Sequence, residues 1–375
     1  MKPRVAVVKV KESVEDAVRE AIGLLGGIET FFEPGESFLV KPNLFMVKSA
    51  EKGATTDPRV FMTIAELIKE AGAKPVVGEC PAMSSYARPE AVFDGLGIRK
   101  LCDESGVAIN LLDREEPVRI LNPDGEILKE VWFPKFALEC DGIVSVPKLK
   151  THVLTSLTCG VKNLFGLQQG GTKAHHHVQT GNSSERFSHL LVDIYQAIRG
   201  QVCLNVVDAV VAMEGEGPAS GDPVELGVII AGRDTVAVDL VGAALMAWNP
   251  LEVGTTYIAS ERGLGPSSLD EVEVVGTPIF EVLRPFRKPQ IHQDGQMFLD
   301  IRMPIECDPY KCTSCGTCAK VCPGDAITMA GIPQFHDQKC IQCFCCIELC
   351  PSGALMVVRT EANKEGVASS APQVR

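Results

Sequence analysis

The chain has 375 residues and a formal charge of −12, with 45% hydrophobic, 22% charged and only 6% aromatic residues. That balance suits a folded globular protein of two or three domains, whereas nucleic-acid binding would call for a basic face and stacking rings that this composition does not offer. The opening MKPRVAVVKV carries positive charge without the apolar stretch of a secretory signal, and no segment approaches the ~20 apolar residues of a membrane span; the nearest, 236–248, is short and contains Asp239.

In chain order, strand-like and helix-like segments alternate. Residues 5–10 read as a β-branched strand and 14–25 as an amphipathic helix. A short strand at 37–40 is followed by Asp57-Pro58, an N-cap with a first-turn proline, which predicts a helix to about residue 71. Strands are expected at 75–78, 107–112 and 142–146, and helices at 89–105, 155–167 and 184–199. Buried strands at 202–207 and 226–231 precede an apolar helix at 235–248. Such alternation predicts an α/β domain, a mostly parallel sheet with flanking helices. Prolines crowd 277–304, read as a connector, and the polar stretch 360–375 reads as a disordered tail. The expected units are therefore 1–276, the connector 277–304, and a small α+β unit at 305–359.

Polar residues recur just after the predicted strands: Lys41 and Asn43, Glu79 and Cys80, Lys148, Lys150 and His152, then Asp208. In open α/β sheets ligands bind beyond the carboxyl ends of the strands, so these side chains are candidates for one crevice. The segment VPKLKTHVLTSLTCGVKNLFG, 146–166, adds Lys162 and Asn163 and places hydroxyls at a predicted helix start, a cradle for a carboxylate or phosphate. The bland alternative is surface lysines and a capped helix. His175, His176 and His177 read as an exposed loop cluster. The Gly- and Pro-rich stretch 208–223, with Asp208, Glu214 and Glu216, reads as a mobile acid-bearing loop or an ordinary connection. Candidate catalytic residues are His152, Asp208 and Glu214; candidate substrate-binding residues are Lys41, Asn43, Lys148, Lys150, Lys162 and Asn163. No phosphate-loop, dinucleotide-binding or radical-SAM-type cysteine motif is present.

The C-terminal part holds two matching cysteine runs. Cys312, Cys315, Cys318 and Cys322 precede Pro323; Cys340, Cys343, Cys346 and Cys350 precede Pro351. Each second-run cysteine lies 28 residues after its counterpart, and Lys311 and Lys339, Ala326 and Ala354 match as well. The run C-x2-C-x2-C-x3-C-P resembles the bacterial two-cluster ferredoxin signature. That resemblance implies two [4Fe–4S] clusters with the fourth ligand crossed: Cys312, Cys315, Cys318 and Cys350 for one, Cys340, Cys343, Cys346 and Cys322 for the other. Zinc sites would not need this run twice, and a disulfide framework belongs to short secreted chains. Cys80, Cys102, Cys140, Cys159, Cys203, Cys307 and Cys345 remain, read as small core residues in a reducing cytoplasm.

The elements KPNL (41–44), TDP (56–58), VPKLKTH (146–152), GVKNLFG (160–166) and DAVVAMEGEGPASG (208–221) resemble the family catalogued as domain of unknown function 362, over about residues 5 to 245. The resemblance implies an α/β iron–sulfur protein, often followed by a two-cluster ferredoxin module, and assigns no reaction or catalytic residue. The expected function is iron–sulfur electron transport, with the clusters serving an oxidoreductase that acts on a small anionic substrate or cofactor in the α/β domain. Two rival readings stand beside it. One is an electron carrier whose large domain docks a redox partner; the other is a metal or cluster delivery factor using Cys80, His152 and the histidines.

Overall fold

The computed structural model describes residues 2–82, 88–181, 183–293, 297 and 303–358. The strands are β1 (Arg4–Lys9), β2 (Ser37–Pro42), β3 (Lys74–Gly78), β4 (Ala108–Asn110), β5 (Pro117–Leu121), β6 (Glu130–Pro134), β7 (Gly142–Val146) and β8 (Lys148–His152). They continue with β9 (Ser156–Thr158), β10 (Val202–Glu214), β11 (Asp222–Gly232), β12 (Glu273–Gly276), β13 (Ile305–Cys307), β14 (Ile327–Ala330), β15 (Ile332–Phe335) and β16 (Leu355–Val357). The helices are α1 (Val14–Leu24), α2 (Pro58–Glu70), α3 (Glu90–Gly95), α4 (Ile98–Ser105), α5 (Lys135–Glu139), α6 (Gly160–Asn163) and α7 (Thr172–Thr180). The rest are α8 (Ser184–Ile198), α9 (Thr235–Leu245), α10 (Gly254–Glu261), α11 (Ile279–Val282), α12 (Thr317–Lys320) and α13 (Cys345–Glu348).

The main sheet runs β12-β1-β11-β10-β7-β2-β3-β4, with β8 branching from β10 and carrying β9. Along the main path every pairing is parallel except those of β11 with β1 and β10. Strands such as β1 and β7 are buried through their middles because helices cover both faces, so they read as apolar runs rather than alternations. The helices start where the sequence caps them. Ser13 accepts Asp16 N–H, Asp57 accepts Arg59 N–H ahead of Pro58, and Asp234 accepts Ala237 N–H. α9 is apolar on all sides and almost entirely buried.

Several expectations change. The helix expected over 155–167 is instead β9, then the single turn of α6, then a 3-10 turn at Leu164–Leu167. β9 forms because residues 156–158 pair antiparallel with 150–152 of β8. The helix at 89–105 is broken into α3 and α4 at Gly97, whose φ of +70° ends one and opens the other. Asp208 is not in a loop: β10 continues through Glu214 and hairpins into β11, leaving only 215–221 as connection. The histidines lie on α7, where Lys173, His176, His177 and Thr180 form its inner face and only His175 is exposed.

The segment after β12 wraps α9 before reaching the cysteines. Arg284 and Phe286 donate N–H to Leu245 and Met246 carbonyls, and Trp248 Nε1 donates to Phe286 O at 3.0 Å. The tail at 360–375 lies outside the described residues, as do 294–296 and 298–302 of the connector. In the C-terminal unit β13 pairs with β16 and β14 with β15, both antiparallel. Ile305, Phe344, Ile347 and Leu355 of this unit share one apolar core with Val153, Leu154, Val161 and Leu164. Val321 and Leu349 join a smaller cluster with Met46 and Ala219. Among the described residues no helix is long and apolar enough to cross a membrane.

Candidate functional site

The TDP and KPN segments lock each other beyond the end of β2. Asn43 N–H donates to Thr56 Oγ1 at 2.8 Å, Thr56 N–H donates back to Asn43 O at 3.0 Å, and Thr56 Oγ1 reaches Val146 O at 2.8 Å. This fixes the Asn43 side chain, whose Oδ1 accepts from Lys150 Nζ at 2.9 Å; Lys150 also donates to Ala54 O at 2.6 Å and stands 4.0 Å above the Phe45 ring. Lys150 comes from β8 and is fully buried, and burial, with Lys162 and Lys148 nearby, drives its ammonium well below the ordinary lysine range.

Next to it, Lys41 Nζ and Glu79 Oε2 meet at 2.5 Å with no solvent exposure to speak of. Burial pushes Lys41 down and Glu79 up, each offset in part by the partner's charge. Asn163 ties this pair to the sheet: its Nδ2 donates to Lys41 O and Ser145 Oγ, and its Oδ1 accepts from Asn43. Only glycine fits at 166, where a Cβ would stand 2.2 Å from Glu79 Oε1 and 2.5 Å from Lys41 Nζ.

These elements wall a cavity of about 90 Å³ lined by Asn43, Phe45, Glu79, Cys80, Lys150, His152, Thr158, Lys162, Asn163, Phe165, Lys173 and His177, and closed by Glu348 and Leu349 of the cysteine-bearing unit. His152 Nδ1 accepts N–H from Leu154 at 3.1 Å and from Thr155 at 3.4 Å, so the ring proton sits on Nε2. Burial, with Lys162 and Lys150 close by, holds His152 well below the usual imidazole range, and the ring is neutral. Its Nε2 lies 3.3 Å from Glu348 Oε1. Burial lifts the Glu348 carboxyl to about 7 against the pull of Lys162 and Lys150.

Several groups around this cavity make no hydrogen bond among the described residues. Lys162 Nζ makes only ring contacts, 5.4 Å from the Phe165 centroid and 5.6 Å from Phe187, with no hydrogen bond or ion pair among the described residues. Thr158 Oγ1, His177 Nδ1 and Glu348 Oε1 are buried without a hydrogen bond. Such atoms are costly in an apolar interior unless something fills the space.

The structure thus brings Asn43, Lys150, His152, Lys162 and Asn163 to one cavity, with Lys41 directly behind its wall. Three other candidates fall elsewhere. Lys148 and Asp208 are wholly buried and paired at 2.7 Å, and Asp208 also accepts N–H from Asp57 and Val210, which commits both side chains to holding β8 and α2 on β10. Glu214, at the far end of the long β10, accepts Arg287 N–H at 3.0 Å and pairs with its guanidinium, so it anchors the connector. Thr158, Lys173, His177 and Glu348 were missed as site residues. One signal for Glu348 was available: in the 28-residue repeat it replaces Lys320, and Phe344, Ile347 and Leu349 replace Gly316, Ala319 and Val321. The more apolar run is the one turned toward the sheet.

The cysteine loops curl alike. Ser314 (φ 55°) and Gly316 (φ 71°) match Gln342 and Phe344 (both φ 57°), left-handed positions between the first three cysteines of each run. Ala326 N–H points at Cys322 Sγ at 3.2 Å, and Ala354 N–H at Cys350 Sγ at 3.3 Å, the same contact 28 residues on. Each fourth cysteine stands near the other run: burial together with Cys350 and Cys315 raises the Cys318 thiol, and burial together with Cys343 and Cys322 raises that of Cys340. Cys315 is exposed and Tyr310 is 99% exposed, whereas Cys343 and Cys346 are buried.

Comparison with known proteins agrees with this division. The family described as Domain of unknown function (DUF362) matches residues 38–244, and the 4Fe-4S dicluster domain matches residues 311–354. The chain is 30% identical over 280 residues to the thylakoid-associated protein sll1697 of Synechocystis sp. (strain ATCC 27184 / PCC 6803 / Kazusa), covering 73% of this chain and 83% of that protein. The lactate racemase apoprotein from Thermoanaerobacterium thermosaccharolyticum is similar with a TM-score of 0.44 and 13% identity, over 66% of this chain and 58% of the racemase's length. The C-terminal unit is a 4Fe-4S ferredoxin-like domain, the equipment of iron–sulfur electron transfer. The chain belongs to the family described as domain of unknown function 362.

Proposed function

We propose that the protein is an iron–sulfur oxidoreductase that reduces a small anionic acceptor in the cavity behind α13. In this reading residues 1–276 hold the acceptor, 277–304 join the two parts, and 305–359 relay electrons. Two [4Fe–4S] clusters, on Cys312, Cys315, Cys318 and Cys350 and on Cys340, Cys343, Cys346 and Cys322, would supply single electrons. The observation that carries the reading is a small cavity with a Lys162 ammonium that has no hydrogen bond or ion pair among the described residues, walled on one side by Glu348 and Leu349, between the ligand positions Cys346 and Cys350.

Lys162 would hold the acceptor's negative charge. A two-electron reduction, with electrons taken singly from a reduced carrier protein, consumes two protons. The groups at the cavity that can release them are the Glu348 carboxyl, lifted to about 7, and the depressed Lys150 ammonium, which is closer to a working acid than an ordinary lysine; neutral His152, 3.3 Å from Glu348, would position that carboxyl. Asp208 and Glu214 have no part in this chemistry. A reducing cytoplasm fits the fifteen free cysteines.

A second reading rests on the exposed Cys315 and Tyr310: an electron carrier whose α/β domain serves only a protein partner. The delivery-factor reading is weaker, because burial raises the Cys80 thiol well above its ordinary value. The two leading readings separate in one experiment. The holo-protein is reduced stoichiometrically without oxygen, and reoxidation is followed after mixing with a panel of small organic anions. A reductase loses its electrons to at least one member, with a reduced product formed, and His152→Phe slows that loss at least tenfold. A pure carrier gives its electrons only to a protein acceptor, at the same rate in His152→Phe.

A further inference from the structure

The charges around the cavity do not cancel. Lys150, Lys162, Lys173, Glu79 and Glu348 line it, with Lys41 and Asp113 just behind, four lysines against three carboxylates and one formal positive charge in surplus; burial lowers Lys162, and Glu348 partly offsets this. Lys41 is spent on Glu79, Lys150 on Asn43 and Ala54, and Lys173 on the Cys80 and Pro81 carbonyls at 2.8 and 3.0 Å. Lys162 alone of the four makes no hydrogen bond among the described residues. It shares the rings of Phe165 and Phe187 with His177, which stacks on Phe187 at 4.6 Å between centroids. Thr158 stands opposite Lys150 in the β8–β9 register. Thr158 Oγ1 and His177 Nδ1 are both buried and make no hydrogen bond among the described residues, in residues 3% and 4% exposed.

We propose that the cavity binds one small monocarboxylate, its carboxylate held by Lys162, Thr158 and His177 and its compact apolar body set against Phe45 and Leu349. This rests on the reading of the cavity as an acceptor site and narrows that site to a chemical class. Size favours a small ligand: the cavity measures about 90 Å³, several times the roughly 10–15 Å³ that one water needs, so its enclosed part takes on the order of six heavy atoms. Charge and valence set the rest. A carboxylate has one charge and two oxygens for the unpaired ammonium, hydroxyl and imidazole. A phosphate would bring up to two charges and four oxygens to the same three groups and the same single surplus charge.

The test is calorimetric titration of the oxidised holo-protein, without oxygen and without turnover. The probes are acetate, acrylate, crotonate, octanoate, inorganic phosphate and sulfate. Acrylate or crotonate is expected to bind at least tenfold more tightly than phosphate, sulfate or octanoate. Lys162→Met should weaken that binding at least tenfold, Thr158→Val severalfold, and Lys162→Arg should restore part of it. Iron content and melting temperature confirm that each variant is folded. Phosphate or sulfate binding more tightly than every carboxylate, no carboxylate binding at all, or affinities unchanged in both Lys162→Met and Thr158→Val would overturn the proposal. A carboxylate that binds but never accepts electrons refutes the reductase reading and leaves this one standing; reduction of a phosphorylated acceptor, with no carboxylate bound, does the reverse.

Discussion

His152 Nε2 stands 3.3 Å from Glu348 Oε1, and this contact joins β8 of the sheet to α13 of the ferredoxin-like domain. The histidine's orientation is set locally, by two backbone N–H groups on Nδ1. The glutamate arrives from a different unit about 200 residues later in the chain. The cavity exists only where the two units meet, so any chemistry in it is coupled by position to the cysteine loops.

Glu348→Gln removes the negative charge nearest Lys162 while keeping the side chain's shape. Anion binding in the cavity is expected to tighten, by roughly 3- to 10-fold for a partly screened charge. Iron content should stay at the wild-type level, since the ligands are untouched. Weaker anion binding in this variant would show that Lys162 is not the anion's partner.

Asp208 tests whether a residue placed just after a predicted strand is chemical or structural. Asp208→Ala leaves Lys148 charged and wholly buried without its partner. Loss of stability of about 3–5 kcal/mol is expected, the usual range for breaking a buried pair. In protein that does fold, cluster reduction and acceptor turnover should stay within about twofold. A stable variant that has lost turnover would return Asp208 to the catalytic set.

Burial holds His177 at about 3 and His176 at about 4, whereas in the unfolded chain both titrate near 6.5. Between those values the unfolded state binds more protons than the folded one, so stability falls as pH drops from about 6.5 toward 4. The slope reaches at most ~1.4 kcal/mol per pH unit for each histidine. His177→Phe keeps the stack on Phe187 and removes one titrating group. Its melting temperature should fall less than that of the wild type between pH 7.5 and 5.5. Parallel curves would mean that burial does not depress His177 and that it titrates in the folded protein as in the unfolded chain.

Cys345 lies between two ligand positions, buried, its thiol raised well above the ordinary value by the neighbouring Cys343 and by burial. Cys345→Ala should retain the full iron complement, and Cys346→Ala should lose part of it, read by iron analysis and visible absorption. Equal losses would show that the register of the second run is shifted by one.

The sheet was legible because its strands are apolar runs with turn residues between them, and the cap at Asp57 is a local signal. Lys150 and His152 were legible as polar side chains just after the predicted strand at 142–146. What misled was pairing at a distance. Residues 156–158 have little strand character alone and become β9 only because β8 is there to pair with them. Asp208 and Lys148 looked available because nothing local shows that two distant charges will bury each other. The histidine triplet looked like a loop because three adjacent polar rings hide the helical spacing of Lys173, His176, His177 and Thr180. Glu348 was overlooked because attention to a ligand run falls on its cysteines, although its departure from the repeat pointed toward the sheet.

The central claim is that an anion in the cavity and one of the two cluster sites sense each other. The direct measurement is a potentiometric titration of the holo-protein followed by electron paramagnetic resonance, with and without each anion that binds. A bound negative charge disfavours adding an electron nearby, so the midpoint potential of one cluster should fall while the other holds, and the shift should vanish in Lys162→Met. Potentials indifferent to every anion, or a shift that persists without Lys162, would contradict the account.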